Sequence, residues 1–275
     1  VVSLQSSDYF TTLQPMTDPL GEAVMPGTFH QLGDFEIPGL GKRRVRAYEP
    51  QGKVAGMPRP VLYLFDGQNV FSDDGSFAGG WYTQDAVDKL VPGRTAVAPI
   101  VVAIDHGNER RIDELGPWRS RQGGGLTDAL LEWMTTSLMP VVHGRFSLVG
   151  GPLGATVGGS SMGGLAALYA HYRRPDAFGG AICMSPAFWF GRKAIVDFIR
   201  SQPRPHVSRV YIDCGVREGG GGMLPICQEV VEELESRGYA KSQLLYRPDP
   251  RGTHQERHWR RRLPKALRFM FRQAG

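Results

Sequence analysis

Apolar residues along the chain alternate between two rhythms. Unbroken apolar runs that end in turn residues, PVLYLFDG at 60–67 and APIVVAIDHG at 98–107, predict strands buried on both faces. Leu126, Leu130, Trp133, Met134 and Leu138 fall at helical spacing and predict a helix over 125–145; another is expected from Trp81 to Leu90. Beyond these, strand and helix patterns take turns: ATVGGS then MGGLAALYAHY, GGAICMSPAF then RKAIVDFIRS, SRVYIDCG then PICQEVVEELESRG, and SQLLYRPDP before a last helix. Ahead of them, FHQLGDFEI and RRVRAYEP read as strands parted by the turn PGLGK.

Strands alternating with helices specify a mostly parallel sheet covered on both faces, joined by right-handed crossovers. No linker-like stretch divides the chain, so 1–275 is expected to form one α/β domain, with the β-rich segment 1–58 part of it. Sheets of this kind bind ligands at the carboxyl ends of their strands. The loops after VLYLF, VVAI, ATVGG, AICM, VYID and LLYRP are therefore the places to look.

Composition changes this picture little. With 41% hydrophobic and 21% charged residues the chain is an ordinary globular one, free of repeats and low-complexity tracts. The net charge of +5 is concentrated near the C-terminus, in Arg257, Arg260, Arg261, Arg262, Lys265 and Arg268. Trp259, Leu263, Leu267 and Phe271 recur there every four residues, so the cations read as the solvated face of an amphipathic helix rather than a nucleic-acid patch, and no nucleic-acid partner is expected. Cys183, Cys214 and Cys227 are an odd set that fits neither a disulfide framework nor a zinc motif, and no metal or cofactor is expected. No apolar stretch has the length of a membrane-spanning helix. The chain opens VVSLQSSDYF without methionine, which leaves the compartment, cytoplasmic or exported, open along with the oligomeric state.

The chemistry starts at Gly159-Ser160-Ser161-Met162-Gly163, a G-x-S-x-G match between a predicted strand and a predicted helix. Ser161 is the only serine with glycine at both −2 and +2. A nucleophile held at a sharp strand-to-helix turn needs that clearance, and the helix N-terminus offers a favourable field for developing negative charge. Close packing of helix on strand is the competing reason for these glycines. A serine needs a base, and the chain order for such a fold is nucleophile, acid, histidine. His171, His206, His254 and His258 follow Ser161. His254, in DPRGTHQERHW, comes directly after the last strand and is the expected base; His258 is its alternative. Glu218, in the Gly-rich loop after RVYIDCG, is the expected acid; Asp213, inside that strand, is the alternative, and Asp197 falls in a helix. Two N–H donors for an oxyanion are expected from Met162 and from Gln68 in the loop Asp66-Gly67-Gln68-Asn69, with Gly67 permitting a tight approach.

With these residues in place, the chain resembles the putative-esterase (esterase D-like) family of α/β-hydrolases over about residues 60–270. The carriers are VLYLFDGQNVF, GGWYTQDAVDKL, RRIDELGPW, GGSSMGGLAALYAHYRRPDAFGGAICMSPAFW, DCGVREGG and GTHQERHWRRRLPKALRFMF. The family includes enterobactin-type siderophore esterases, feruloyl and acetylxylan esterases, S-formylglutathione hydrolases and mycolyltransferases. The resemblance implies an α/β-hydrolase fold: a mostly parallel central sheet with antiparallel N-terminal strands and helices on both faces. It implies the same assignments for Ser161, Glu218, His254, Gln68 and Met162.

It also implies a substrate site walled by Trp189 and Phe188. His106 either touches substrate or orders its own loop, Asp66 accepts hydrogen bonds that fix the oxyanion loop at the site's edge, and Trp81 packs beneath that loop. Arg111 and Glu114 are expected to pair with each other. The implied activity is that of a serine carboxylesterase acting on small or short-acyl esters, with a small-molecule ester as its partner. The alternatives are a feruloyl, acetylxylan or siderophore esterase, an acyltransferase using the same residues, and an inactive hydrolase fold serving as a binding module.

Overall fold

The computed structural model describes residues 26–51, 57–76, 78–90 and 96–272. Residues 1–25 and 52–56 of the expected N-terminal β-rich segment lie outside them. The first two strands, β1 (Thr28–Ile37) and β2 (Gly41–Glu49), form an antiparallel hairpin, and β2 continues antiparallel onto β4 (Ile100–Ile104). The remaining strands are β3 (Val61–Phe65), β5 (Ala155–Ser160), β6 (Gly180–Met184), β7 (Arg209–Gly215) and β8 (Leu244–Asp249). All eight form one sheet in the order β1-β2-β4-β3-β5-β6-β7-β8, parallel from β4 onward. The chain leaves β3 for β4 on one side and later takes up β5 on the other. The carboxyl end of β3 is thus the crevice where such sheets place ligands.

The helices are α1 (Thr83–Asp88), α2 (Arg111–Leu115), α3 (Thr127–Trp133), α4 (Met139–Arg145), α5 (Met162–Arg173), α6 (Ala194–Ser201), α7 (Met223–Ser236) and α8 (Glu256–Met270). The helix expected over 125–145 exists, but a π-helical turn at Met134–Leu138 joins α3 to α4. There Thr135 and Thr136 donate hydroxyl bonds to the carbonyls of Leu131 (2.9 Å) and Glu132 (2.8 Å), a competition with the helix ladder that the apolar spacing does not reveal. The short α2 has no counterpart among the expected elements.

Alternating strand residues feed two cores. Val61, Tyr63 and Phe65 join the core under α5, α6 and α7, while Leu62 and Leu64 join the one under α1 and α8. The apolar stripe of α8 is buried as expected, with Leu263 and Leu267 fully covered. One expectation fails on that helix. Arg262, assigned to the solvated face, is only 8% exposed. It sits three residues after Trp259 and four before Ala266, a spacing that turns it toward the sheet.

Candidate active site

Ser161 caps α5 at the end of β5 with φ 54° and ψ −119°, a conformation that non-glycine residues rarely adopt and that costs about 1–3 kcal/mol. The surrounding bonds hold it there. Its N–H donates to the Met184 carbonyl (2.9 Å), and its carbonyl accepts from Gly164, Leu165 and Ala187. A side chain at Gly159 would bring its Cβ within 2.8–3.0 Å of the Gly163 backbone, so glycine is required there. A Cβ at Gly163 would meet Asp66 Oδ2 at 3.2 Å and Phe65 Cβ at 3.3 Å, which shows how closely the start of α5 abuts the end of β3. Gly164 clears Pro186 in the loop after β6. Ser160 is buried within β5, opposite Met184.

The loops after β7 and β8 are bonded to each other, Val216 N–H to the Asp249 carbonyl and Arg217 N–H to that of Gly252. This brings Glu218 to His254, with Glu218 Oε2 3.1 Å from His254 Nδ1. Gly219, Gly220 and Gly221 all have positive φ, which explains the glycine run after Glu218. The carboxylate is buried, and its other oxygen accepts from Ser185 Oγ (2.6 Å) and the Gly215 N–H (2.9 Å). Burial works to raise its pKa, but the bonds from His254 and Ser185 outweigh it and hold the group below its ordinary value. The His254 side chain is 41% exposed and packs edge-on against Trp259. Among the described residues no hydrogen bond joins Ser161 Oγ to His254.

The alternatives are occupied elsewhere. Asp213 is fully buried and bonds Tyr211 OH, the Ser185 N–H and Arg262, not a histidine. His258 Nδ1 accepts the Thr253 N–H at 2.7 Å and orders the loop. His171 is buried between the Phe178 carbonyl and Ser208 Oγ, and burial pushes its pKa down to about 4.

Gln68 lies in a single 3-10 turn at the end of β3, and a Cβ on the preceding Gly67 would run into the backbone of Ile104 and Asp105 at 2.6–2.7 Å. Among the described residues neither the Gln68 N–H nor the Met162 N–H has a hydrogen-bond acceptor. Asp66 anchors this turn, but its partner is a side chain: Arg111 grips it bidentately, at 2.6 and 2.8 Å. The expected Arg111–Glu114 pair is therefore not formed. Glu114 instead pairs with Arg43 of β2 and accepts the Gly107 N–H. Both acids are buried where a long-range guanidinium can reach them, which outweighs proximity along α2.

His106 caps its own loop, Nδ1 accepting the Asn108 N–H at 2.9 Å, while its backbone N–H bonds Gln68 Oε1. Trp81 is buried below the 66–69 loop, its backbone N–H donating to the Asn69 carbonyl (2.7 Å), and faces Trp259 rather than solvent. Phe188 is fully buried in the larger core, while its neighbour Trp189 is 41% exposed. Of the two expected walls, only Trp189 is exposed.

Several groups beside the site carry no sequence signature. Ser185, at φ 41°, receives bonds from Trp259 Nε1 (2.9 Å) and Arg262 Nη2 (2.6 Å) while donating to Glu218. Glu256 accepts a long bond from Asn69 (3.4 Å), and burial, reinforced by Asp66, raises its pKa. Only Trp259, on an apolar stripe five residues after His254, could have been suspected from sequence. The three cysteines are buried free thiols. Among the described residues no group of three or more His, Cys, Asp or Glu comes together to hold a metal ion, and no helix is long and apolar enough to cross a membrane.

The family model described as putative esterase matches residues 40–270. The siderophore triacetylfusarinine C esterase of Aspergillus fumigatus is 29% identical over 148 residues, which are 50% of this chain and 48% of that protein. Among solved structures, the BES protein from Bacillus cereus shares the fold at a TM-score of 0.73 and 17% identity, covering 99% of this chain and 100% of that one. The enterobactin esterase FES from Shigella flexneri shares it at a TM-score of 0.65 and 18% identity, covering 93% of this chain and 60% of that one. The present chain thus spans about half of the fungal relative and three-fifths of the enterobactin esterase. The architecture is the α/β-hydrolase fold.

Proposed function

The chain belongs to the putative esterase family, a family of carboxylic ester hydrolases, and from that membership we propose that it is a serine esterase acting on small or short-acyl esters. The observation that carries the proposal is the Glu218–His254 contact of 3.1 Å on the loops after β7 and β8, at the same carboxyl edge of the parallel sheet where β5 ends in the strained Ser161.

In this reading His254 takes the Ser161 hydroxyl proton as Oγ attacks the ester carbonyl. Glu218 holds the imidazole by Nδ1 and stabilises its cationic form. The N–H groups of Met162 and Gln68, which have no acceptor among the described residues, receive the tetrahedral oxyanion. His254 then protonates the departing alcohol, and water, activated by the same imidazole, releases the acid from Ser161. Trp189 is the apolar surface beside the acyl or alcohol group.

Ser161→Ala should lower kcat for p-nitrophenyl acetate or butyrate by about ten-thousand-fold or more while leaving the far-UV spectrum unchanged. Wild-type turnover in that variant would remove Ser161 from the mechanism. One relative is named as a siderophore esterase and one structural neighbour as an enterobactin esterase, so a siderophore ester belongs in the first substrate panel, with methyl ferulate, acetylated xylan and S-formylglutathione.

A further inference from the structure

A second cleft lies on the outer side of the 249–254 loop, between the edge strand β8 and helix α8. Its volume is about 370 Å³, within the range of small-molecule sites. Its walls carry Arg247, Arg251, Arg261, Arg262, Lys265 and Arg268, against the single carboxylate of Asp249. Asp249 is already shared, paired with Arg261 and 3.6 Å from Arg262 Nη1.

Two observations separate this cleft from an ordinary solvated helix face. The first is Arg262. Its Nη2 is committed inward, to Ser185 Oγ and Asp213 Oδ1. Its Nη1 and Nε are buried yet have no hydrogen-bond partner among the described residues, although the side chain is only 7% exposed. A guanidinium with two unbonded nitrogens at the base of a cleft is costly unless an acceptor can enter. The second is crowding. Desolvation, and after it the neighbouring charges of Arg247 and Arg268, lowers the pKa of Lys265, and no carboxylate of the cleft but Asp249 offsets these cations. A multivalent anion relieves both conditions at once, because planar guanidinium forks match phosphoryl oxygens and the excess of cations exceeds what one monovalent ion neutralises.

We propose that this cleft is a binding site for a compact anion carrying two or more phosphoryl groups, with Arg262 at its floor and Arg247, Lys265 and Arg268 on its wall. The cleft shares Arg262 with the buried network around Asp213 and Glu218, but it does not depend on the esterase reading, so its test reads binding and not turnover.

The test is calorimetric titration of the full chain with inorganic pyrophosphate and with orthophosphate, at ionic strength matched with chloride. Saturable one-to-one binding of pyrophosphate, tighter than that of orthophosphate and weakening as salt is added, is the expected result. The double variant Arg247→Gln/Arg268→Gln should weaken binding by about tenfold or more and keep or raise the melting temperature of the free protein, since like-charge repulsion is relieved. Arg200→Gln, on the distant helix α6, should bind as the wild type does. The proposal is overturned if pyrophosphate has no effect beyond that of chloride, or if the double variant binds it unchanged. It is equally overturned if only phosphatidylglycerol vesicles or heparin bind while pyrophosphate does not, since the surface would then serve a membrane or a polyelectrolyte.

Discussion

At the scale of single residues, two buried carboxylates five positions apart in the sequence share one arginine, yet their pKa values are shifted in opposite directions. Arg262 reaches both Asp213 (3.1 Å) and Glu218 (3.6 Å). Glu218 is held below its ordinary pKa by the bonds from His254 and Ser185, against burial, so its share of stability is present above about pH 4.5 and is lost as pH falls. Burial pushes Asp213 up to about 6, against the pull of Arg262 and Tyr211. Its contribution is therefore fully present below the ordinary value of 3.8 and is lost as pH rises through 6. Asp213→Asn should flatten the pH dependence of unfolding free energy between about pH 4 and 6, measured by urea titration at each pH. It should also leave more esterase activity than Glu218→Gln, which replaces the charged acceptor at His254 Nδ1 with a neutral amide. If Asp213→Asn proves the more damaging in kcat, the acid has been assigned to the wrong residue.

At the scale of elements, the 67–69 turn shows how one glycine can position a donor it does not carry. The 67–69 turn lies against the end of β4, and Asp66 is pinned to α2 through Arg111. Gly67 leaves no room for a methyl group beside Ile104 and Asp105. Gly67→Ala should displace the turn and with it the Gln68 N–H, lowering kcat for p-nitrophenyl acetate by about a hundredfold with a smaller change in KM. A variant with unaltered kcat would mean that the Gln68 N–H does not serve the transition state. The same close fit explains why the G-x-S-x-G stretch was legible: Gly159 and Gly163 clear contacts within one strand–turn–helix unit, a short-range requirement that leaves its mark in sequence.

At the scale of the whole molecule, one eight-stranded sheet carries both cores, and the candidate site draws on loops after β3, β5, β6, β7 and β8. No strand can be withdrawn from the middle of that order without exposing both faces. Heating should therefore give one cooperative transition, with near-UV and far-UV circular dichroism coinciding. Two separated transitions would divide the chain into independently folding parts.

Periodicity alone determined the strands, the main helices and the parallel sheet, because apolar spacing reports which side of each element is buried. The glycine pattern around Ser161, and the order of Glu218 and His254 after it, were legible instead as a local motif and a chain order. Tertiary structure decided the pairings. Arg111 turns to Asp66 and Arg43 to Glu114 across separations of 45 and 71 residues, and no local pattern encodes such contacts. Structure also decided that Phe188 is core while Trp189 is surface, that Glu218 and not Asp213 meets His254, and that Arg262 lies inside. A cation in a basic helix reads as solvated until the carboxylates that compensate it are brought beneath it, and only the folded sheet brings Asp213 and Glu218 there.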